Sequence, residues 1–252
     1  MNILVVIPAR FASTRFPGKP LALLGGKPIV EWVWNCVSGM STLTDAVVAT
    51  DDQRIVSAVE SFGGRAMMTS SEHRSGTDRC GEVLRKMEAE GKHYDVVINV
   101  QGDEPFTKQS QLQHLIDCFG NADTQIATLK TAIRSTVELE SANNVKVICN
   151  SQGKAIYFSR QPIPYLRGVE KDEWLGHRSY FKHVGIYAFR AEALKEVVKL
   201  APSALEVSES LEQLRWLENG YTIEVRETEQ ANIGIDTPED LEKAEQYLNL
   251  KK

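Results

Sequence analysis

"NILVVIPAR", residues 2–10, runs from an unbroken apolar stretch into a proline and then an arginine. No polar residue alternates within "ILVVI", so neither face of this strand is expected to meet water. That suits a parallel sheet covered on both sides. Pro8 lacks an amide donor and is expected to stop the strand. "DAVVAT" (45–50), "RAMMT" (65–69) and "DVVINV" (95–100) are further runs of the same kind. Between them, residues 28–38, 52–62, 76–90 and 108–119 carry apolar side chains three or four apart, the helical spacing. Strand and helix alternate to about residue 120, which predicts an α/β fold with a doubly wound, mostly parallel sheet.

The second half is less regular. "NVKVICNSQGKAIYFSR" (144–160) predicts two strands joined by a turn at Ser151-Gln152-Gly153. Residues 161–174 predict a charged, proline-containing loop, and 180–189 an aromatic strand. One helix is expected over 206–219, ending at Gly220, with Val207, Leu211 and Leu214 as its buried stripe. A strand over 222–227 and a helix over 236–248 follow, the last capped by Asp236 or Thr237 with Pro238 in its first turn. No repeat or linker interrupts the chain, so one domain over 1–252 is expected, with a smaller mixed β region inserted at about 145–190.

Composition narrows the function. The chain has 252 residues, 42% hydrophobic and 25% charged, with a net charge of −5. That is an ordinary globular mix, and it argues against a general nucleic-acid or membrane-surface binder, which needs a basic face. Cys36, Cys80, Cys118 and Cys149 form no C-x-x-C pair, so free thiols in a reducing cytosol are expected rather than a zinc site or disulfide framework. No run approaches the roughly 20 apolar residues of a membrane span, and the N-terminus is not expected to be a signal peptide.

Against this acidic background the loop "PARFASTRFPGKPL" (8–21) concentrates Arg10, Arg15 and Lys19. It follows the first strand, where open α/β sheets bind ligands. Arginine forks and a lysine ammonium suit phosphate oxygens; the alternative is a solvated basic loop. The loop has neither a Walker nor a dinucleotide glycine pattern. "NVQGDEP" (99–105) places Asp103 and Glu104 after another strand on the same rim. Hard oxygen ligands there suit Mg²⁺ together with substrate phosphates, unless this is a plain acidic turn. Asp236, in "GIDTPEDL" (234–241), is either a helix cap or a second metal carboxylate. "HRSGTDR" (73–79) leads into a helix, where Ser75, Gly76 and Thr77 could offer backbone amides. Glu209 and Gln213, four apart, share a helix face and are either solvated or sugar ligands. His183 and Tyr187 share one face of a strand, which ordinary core packing would explain.

Together "IPARFASTRFPGKPL", "ATDD", "HRSGTDR", "NVQGDEP", "LEQLRWLENG" and "GIDTPEDLE" resemble the 3-deoxy-manno-octulosonate (Kdo) cytidylyltransferases, in that family's order over residues 5 to 243. The resemblance implies a nucleotide-diphospho-sugar transferase-like fold and transfer of a cytidylyl group from CTP to Kdo, giving CMP-Kdo and diphosphate for lipopolysaccharide. It implies Mg²⁺ as cofactor, held by Asp103 and Asp236. Arg10, Lys19, Asp103 and Asp236 are implied as catalytic. CTP contacts are implied for Pro8, Ala9, Arg10, Ser13, Arg15, Lys19, Ser75, Thr77, Gln101, Gly102, Asp103 and Pro105. Kdo contacts are implied for Arg79, Gln101, His183, Tyr187, Glu209, Gln213 and Asp236. A cytoplasmic homodimer, built through the smaller β region, is also implied. CMP-sialic acid synthetase and a non-catalytic nucleotide-binding relative are the alternatives. "TRFPGKPL" argues against the first, and the presence of both aspartates against the second. The loop 161–179 departs from the family and receives no role.

Overall fold

The computed structural model describes residues 1–230 and 234–250. In chain order the first half runs β1 (Ile3–Pro8), the hairpin β2 (Leu23–Leu24) and β3 (Lys27–Pro28), α1 (Ile29–Ser38), β4 (Asp45–Thr50), α2 (Gln53–Ser61), β5 (Ala66–Met68), α3 (Gly76–Ala89), β6 (Val96–Asn99) and α4 (Gln109–Cys118). The second half runs β7 (Ile126–Ala132), α5 (Thr136–Glu140), β8 (Lys146–Cys149), β9 (Ala155–Ser159), α6 (Trp174–His177), β10 (Phe181–Arg190), α7 (Ala191–Val197), α8 (Ala204–Glu209), α9 (Glu212–Glu218), β11 (Ile223–Glu227) and α10 (Pro238–Asn249). The chain divides into two compact units: residues 1–113 and 188–198 with the described part of 232–252, and residues 114–187 with the described part of 199–231.

In the first unit β1 pairs parallel with β4 on one side and β6 on the other, and β4 pairs parallel with β5. Leu4, Val5, Val6 and Ile7 are wholly buried, as the run of apolar residues requires of a strand covered on both faces. The chain passes from β1 outward to β4 and β5, then returns to place β6 on the far side of β1. The strand order therefore reverses beside β1, and the loops after β1 and β6 diverge there. Leu24, Ile29, Ile235 and Ala244 form a satellite core that holds α10 against the β2–β3 hairpin and α1. Gly25 and Gly26, φ +57° and +81°, make the two-residue turn of that hairpin. The Gly25 amide donates to Glu245 Oε1 of α10 at 2.6 Å.

In the second unit β7 pairs parallel with β11, while β8 pairs antiparallel with β9 and β10. The turn expected at 151–153 joins β8 to β9. Strand β7, "IATLKTA", lay outside the expected elements; its threonines and lysine dilute the apolar signal. The single helix expected over 206–219 is instead two, α8 and α9. Ser210 breaks it at φ +51°, a left-handed conformation that cannot continue a helix. The expected stripe breaks with it: Leu211 and Leu214 are buried, but Val207 is 69% exposed. Glu209 and Gln213 therefore do not share a face of one helix.

Candidate active site

The carboxyl ends of β1 and β6 open a cleft in the first unit. Its walls come from the loop after β1, the N-terminus of α3, the turn after β6 and the residue before the cap of α10. The first wall is stiffened by Pro17 and Pro20; Gly18 between them takes φ +73°, and an added Cβ there would lie 3.1 Å from the Phe11 ring. The Arg54 guanidinium lies 3.4 Å over that same ring. At the second wall Ser75 caps α3 in a reciprocal box with Asp78, so that Ser75 and Gly76 face the cleft with the helix amides behind them. At the third, the Gly102 amide donates to Pro8 O at 3.2 Å, and an added Cβ would lie 2.7 Å from that oxygen. Only glycine lets the two loops come this close.

The fourth wall answers the question left open at Asp236. Thr237 caps α10, its Oγ1 accepting from the Asp240 amide, and Asp240 closes the box. The Asp236 carboxylate is therefore left for the cleft. A backbone bond from Ile235 to Asp103 O, 3.0 Å, holds the two aspartate-bearing segments side by side. Lys19 Nζ then donates to Asp103 Oδ2 at 2.5 Å and Asp236 Oδ1 at 3.0 Å, and Arg15 donates to Asp236 Oδ2 at 3.0 Å. Burial alone would lower the Lys19 ammonium, but the two carboxylates outweigh it and raise it above its ordinary value. Burial would likewise raise Asp236, and Lys19 with Arg15 outweighs that and holds it low. Both partners are charged at neutral pH.

The cleft thus gathers Pro8, Arg10, Ser13, Arg15, Lys19, Ser75, Arg79, Gln101, Asp103 and Asp236 of the expected residues. Ala9 and Thr77 are buried behind it. Gly102 and Pro105 belong to the turn after β6 without lining the cleft. Arg79 reaches the cleft from a buried position. Its guanidinium binds Asp51 Oδ2 at 2.6 Å, Thr69 Oγ1 at 2.7 Å and Ser70 O at 3.2 Å. Asp51 belongs to the "ATDD" stretch, for which the sequence implies no role. Thr14, His73 and Arg74 also line the cleft and lie outside the expected set, although the last two stand in "HRSGTDR". His73 pairs with Glu82 at 2.5 Å. Burial would raise the Glu82 carboxyl, but Lys86, the Ser70 amide and His73 hold it at about 2.

The remaining expected residues lie in the second unit. The His183 ring bonds Thr128 Oγ1 at 2.9 Å and sits 5.1 Å from the Tyr187 ring. Its burial pushes its pKa down to about 3, so it is neutral at physiological pH. Tyr187 packs edge-on against Trp216, and Gln213 is buried in α9. The Glu209 carboxylate accepts from Ser159 Oγ at 2.7 Å and the Arg160 amide at 2.9 Å. Arg160 Nε in turn donates to Glu209 O at 2.7 Å. Strand β9 therefore grips the end of α8 at the break.

Two hard carboxylates fit a small divalent cation that takes its other oxygens from phosphate and water. Among the described residues no group of three or more His, Cys, Asp or Glu gathers to hold a metal by protein ligands alone. Arginines, a lysine and helix amides around these carboxylates suit a polyphosphate. All four cysteines are free thiols, and among the described residues no helix is long and apolar enough to cross a membrane.

Comparison with known proteins agrees with this chemistry. A family model described as cytidylyltransferase matches residues 4–228. The 3-deoxy-manno-octulosonate cytidylyltransferase of Parabacteroides distasonis is 54% identical over 252 residues, covering 98% of each chain. Its namesake from Phocaeicola vulgatus is 53% identical over 255 residues, covering 100% of this chain and 99% of its own. A solved structure of CMP:2-keto-3-deoxy-manno-octonic acid synthetase complexed with CTP is 39% identical, covers 100% of both chains and superposes with a TM-score of 0.91. The chain is a nucleotidyltransferase and belongs to the 3-deoxy-manno-octulosonate cytidylyltransferase family.

Proposed function

We propose that this protein activates Kdo by Mg²⁺-dependent cytidylyl transfer: CTP and Kdo give CMP-Kdo and diphosphate, a step of lipopolysaccharide synthesis in the cytoplasm. One observation carries the reading. Asp103 and Asp236 meet Lys19 and Arg15 at the reversal of a parallel sheet, beside the amides that open α3. Such a site offers cations to a triphosphate and carboxylates to the metal that accompanies it.

Bound between Asp103 and Asp236, Mg²⁺ would neutralise phosphate charge and polarise the reacting oxygens. The chain's own residues do the rest. Arg10, Arg15 and Lys19 hold the triphosphate and stabilise charge on the departing diphosphate. Pro8, Ala9 and Ser13, with the loop amides that follow Ala9, lie along the phosphates. On the family resemblance Ser75, Thr77, Gln101 and Pro105 are assigned to the cytidine and the sugar beside it, and Gly102 to CTP. Arg79, Gln101, Asp236, His183, Tyr187, Glu209 and Gln213 are assigned to Kdo on the family resemblance. The sugar's anomeric hydroxyl attacks the α-phosphorus and loses its proton to solvent as the bond to diphosphate breaks. Positioning supplies much of the acceleration in such a transfer. A homodimer formed through the smaller β region completes the reading.

The test offers CTP and Mg²⁺ with Kdo or N-acetylneuraminate, follows diphosphate release and identifies the product by mass spectrometry. CMP-Kdo is expected. Faster turnover of N-acetylneuraminate would assign the chain to sialate activation instead. Nucleotide binding without release of diphosphate would make it a non-catalytic relative.

A further inference from the structure

Lys19 is the least exposed of the cleft's charged loop residues, with 10% of its side chain open to solvent, and it touches both aspartates at once. Together with Arg15 it forms a closed set of two cations and two anions. A divalent cation arriving alone must take carboxylates that already hold a lysine, and must then sit beside the displaced ammonium. A triphosphate arriving alone must take cations that already hold carboxylates, and must then face the carboxylates it has bared. Arriving together, each newcomer accepts the partner that the other releases: phosphate oxygens take Lys19 and Arg15, and the metal takes the aspartates.

We infer that Lys19, before it takes up phosphate, occupies the metal's place in the free protein, so that the aspartate pair becomes available to a divalent cation only when a triphosphate draws the ammonium away. This deepens the proposed function, resting on its reading of Asp103 and Asp236 as metal ligands. Metal affinity is low without nucleotide, and the two ligands bind with strong positive coupling. Part of that coupling belongs to the protein, over and above the affinity of the metal for phosphate.

Mn²⁺ is a suitable probe, because its free form is counted directly by electron paramagnetic resonance. The full-length protein and Lys19→Gln are titrated with Mn²⁺ in the absence of nucleotide. Removing the ammonium should tighten binding roughly tenfold or more, because a like charge is taken from the metal's side. Lys19→Arg, which restores the charge, should return affinity toward that of the unsubstituted protein. A second measurement does not depend on how well these variants fold. Asp236 is half exposed, so Asp236→Asn should fold normally. In the presence of a chelator it should bind CTP several-fold more tightly than the unsubstituted protein, because Lys19 is held by one carboxylate fewer. Suppose Mn²⁺ binds with CTP present, beyond what CTP alone sequesters, yet Lys19→Gln binds no more without nucleotide. The gate is then wrong while the metal reading stands. Equal CTP affinity of Asp236→Asn under chelation would also overturn the gate. If CTP brings no added Mn²⁺ to the unsubstituted protein, the metal reading fails and the gate with it.

Discussion

Asp51→Asn is expected to unsettle the cleft from beneath, although Asp51 does not line it. Arg79 is only 4% exposed along its side chain, and Asp51 16%. Among the described residues the carboxylate is the only anion that hydrogen-bonds this guanidinium; its other partners are Thr69 Oγ1 and Ser70 O, both neutral. Neutralising Asp51 leaves a buried positive charge with dipoles alone. Breaking one side of a buried ion pair costs about 3–5 kcal/mol. The asparagine oxygen still accepts one bond and Asp51 keeps some solvent, so the lower end, about 3 kcal/mol, is expected here. For a chain of this size that is a fall in Tm of roughly 6–12 °C. Urea and thermal unfolding would measure it, with a double-mutant cycle against Arg79→Met to isolate the pair. The cycle should return a coupling of about 2 kcal/mol, since each single change removes the same interaction. The KM for CTP should also rise, because Arg79 ties residues 69 and 70 to α3 beside the cleft. A loss under about 1 kcal/mol, or additive single changes, would refute the claim that this pair is a buried strut.

Three further outcomes follow from other parts of the chain. His183 is held neutral down to about 3 by burial, whereas an unfolded histidine protonates near 6.5. The unfolded chain therefore binds the extra proton between these values. Stability from this group is complete above pH 6.5 and falls on acidification, by at most about 2 kcal/mol by pH 5. His183→Gln should flatten urea stability between pH 7 and 5, and an unchanged slope would contradict the assignment. Gly102→Ala should cost roughly 1–3 kcal/mol and weaken CTP binding, because the new Cβ meets Pro8 O; normal CTP affinity would show that the two loops need not approach so closely. Ser210→Gly should stabilise the chain by about 0.5–1 kcal/mol, since glycine accepts the left-handed backbone at the α8–α9 break without a Cβ penalty. A destabilisation in urea would mean that the Ser210 hydroxyl matters more than the backbone.

Much of the first unit was legible because its central strands β1, β4 and β6 are mostly buried and so appear as apolar runs. "ILVVI" and "DVVINV" announce themselves, and the loops that follow them carry the charges. Strand β7 did not, because threonine and lysine interrupt its apolar positions. The α8–α9 break was hidden for a different reason. Val207, Leu211 and Leu214 satisfy helical periodicity, but what ends α8 is Glu209 gripped from β9 by Ser159 and Arg160, about fifty residues away in sequence. No local pattern carries such a contact. At the cleft, the residue types pointed to polyphosphate and metal chemistry. That Lys19 spans both aspartates depends on a backbone bond between residues 235 and 103, which only the folded chain supplies.

On the proposed function, the Asp103–Asp236 pair in this cleft serves Mg²⁺-dependent cytidylyl transfer. Asp103→Asn tests it most directly, with diphosphate release from CTP and Kdo measured across Mg²⁺ concentrations and folding checked by circular dichroism. An intact fold and a turnover loss of roughly a hundredfold or more are expected, the usual scale for removing a transition-state electrostatic group. Near-normal, Mg²⁺-dependent turnover in Asp103→Asn would contradict it.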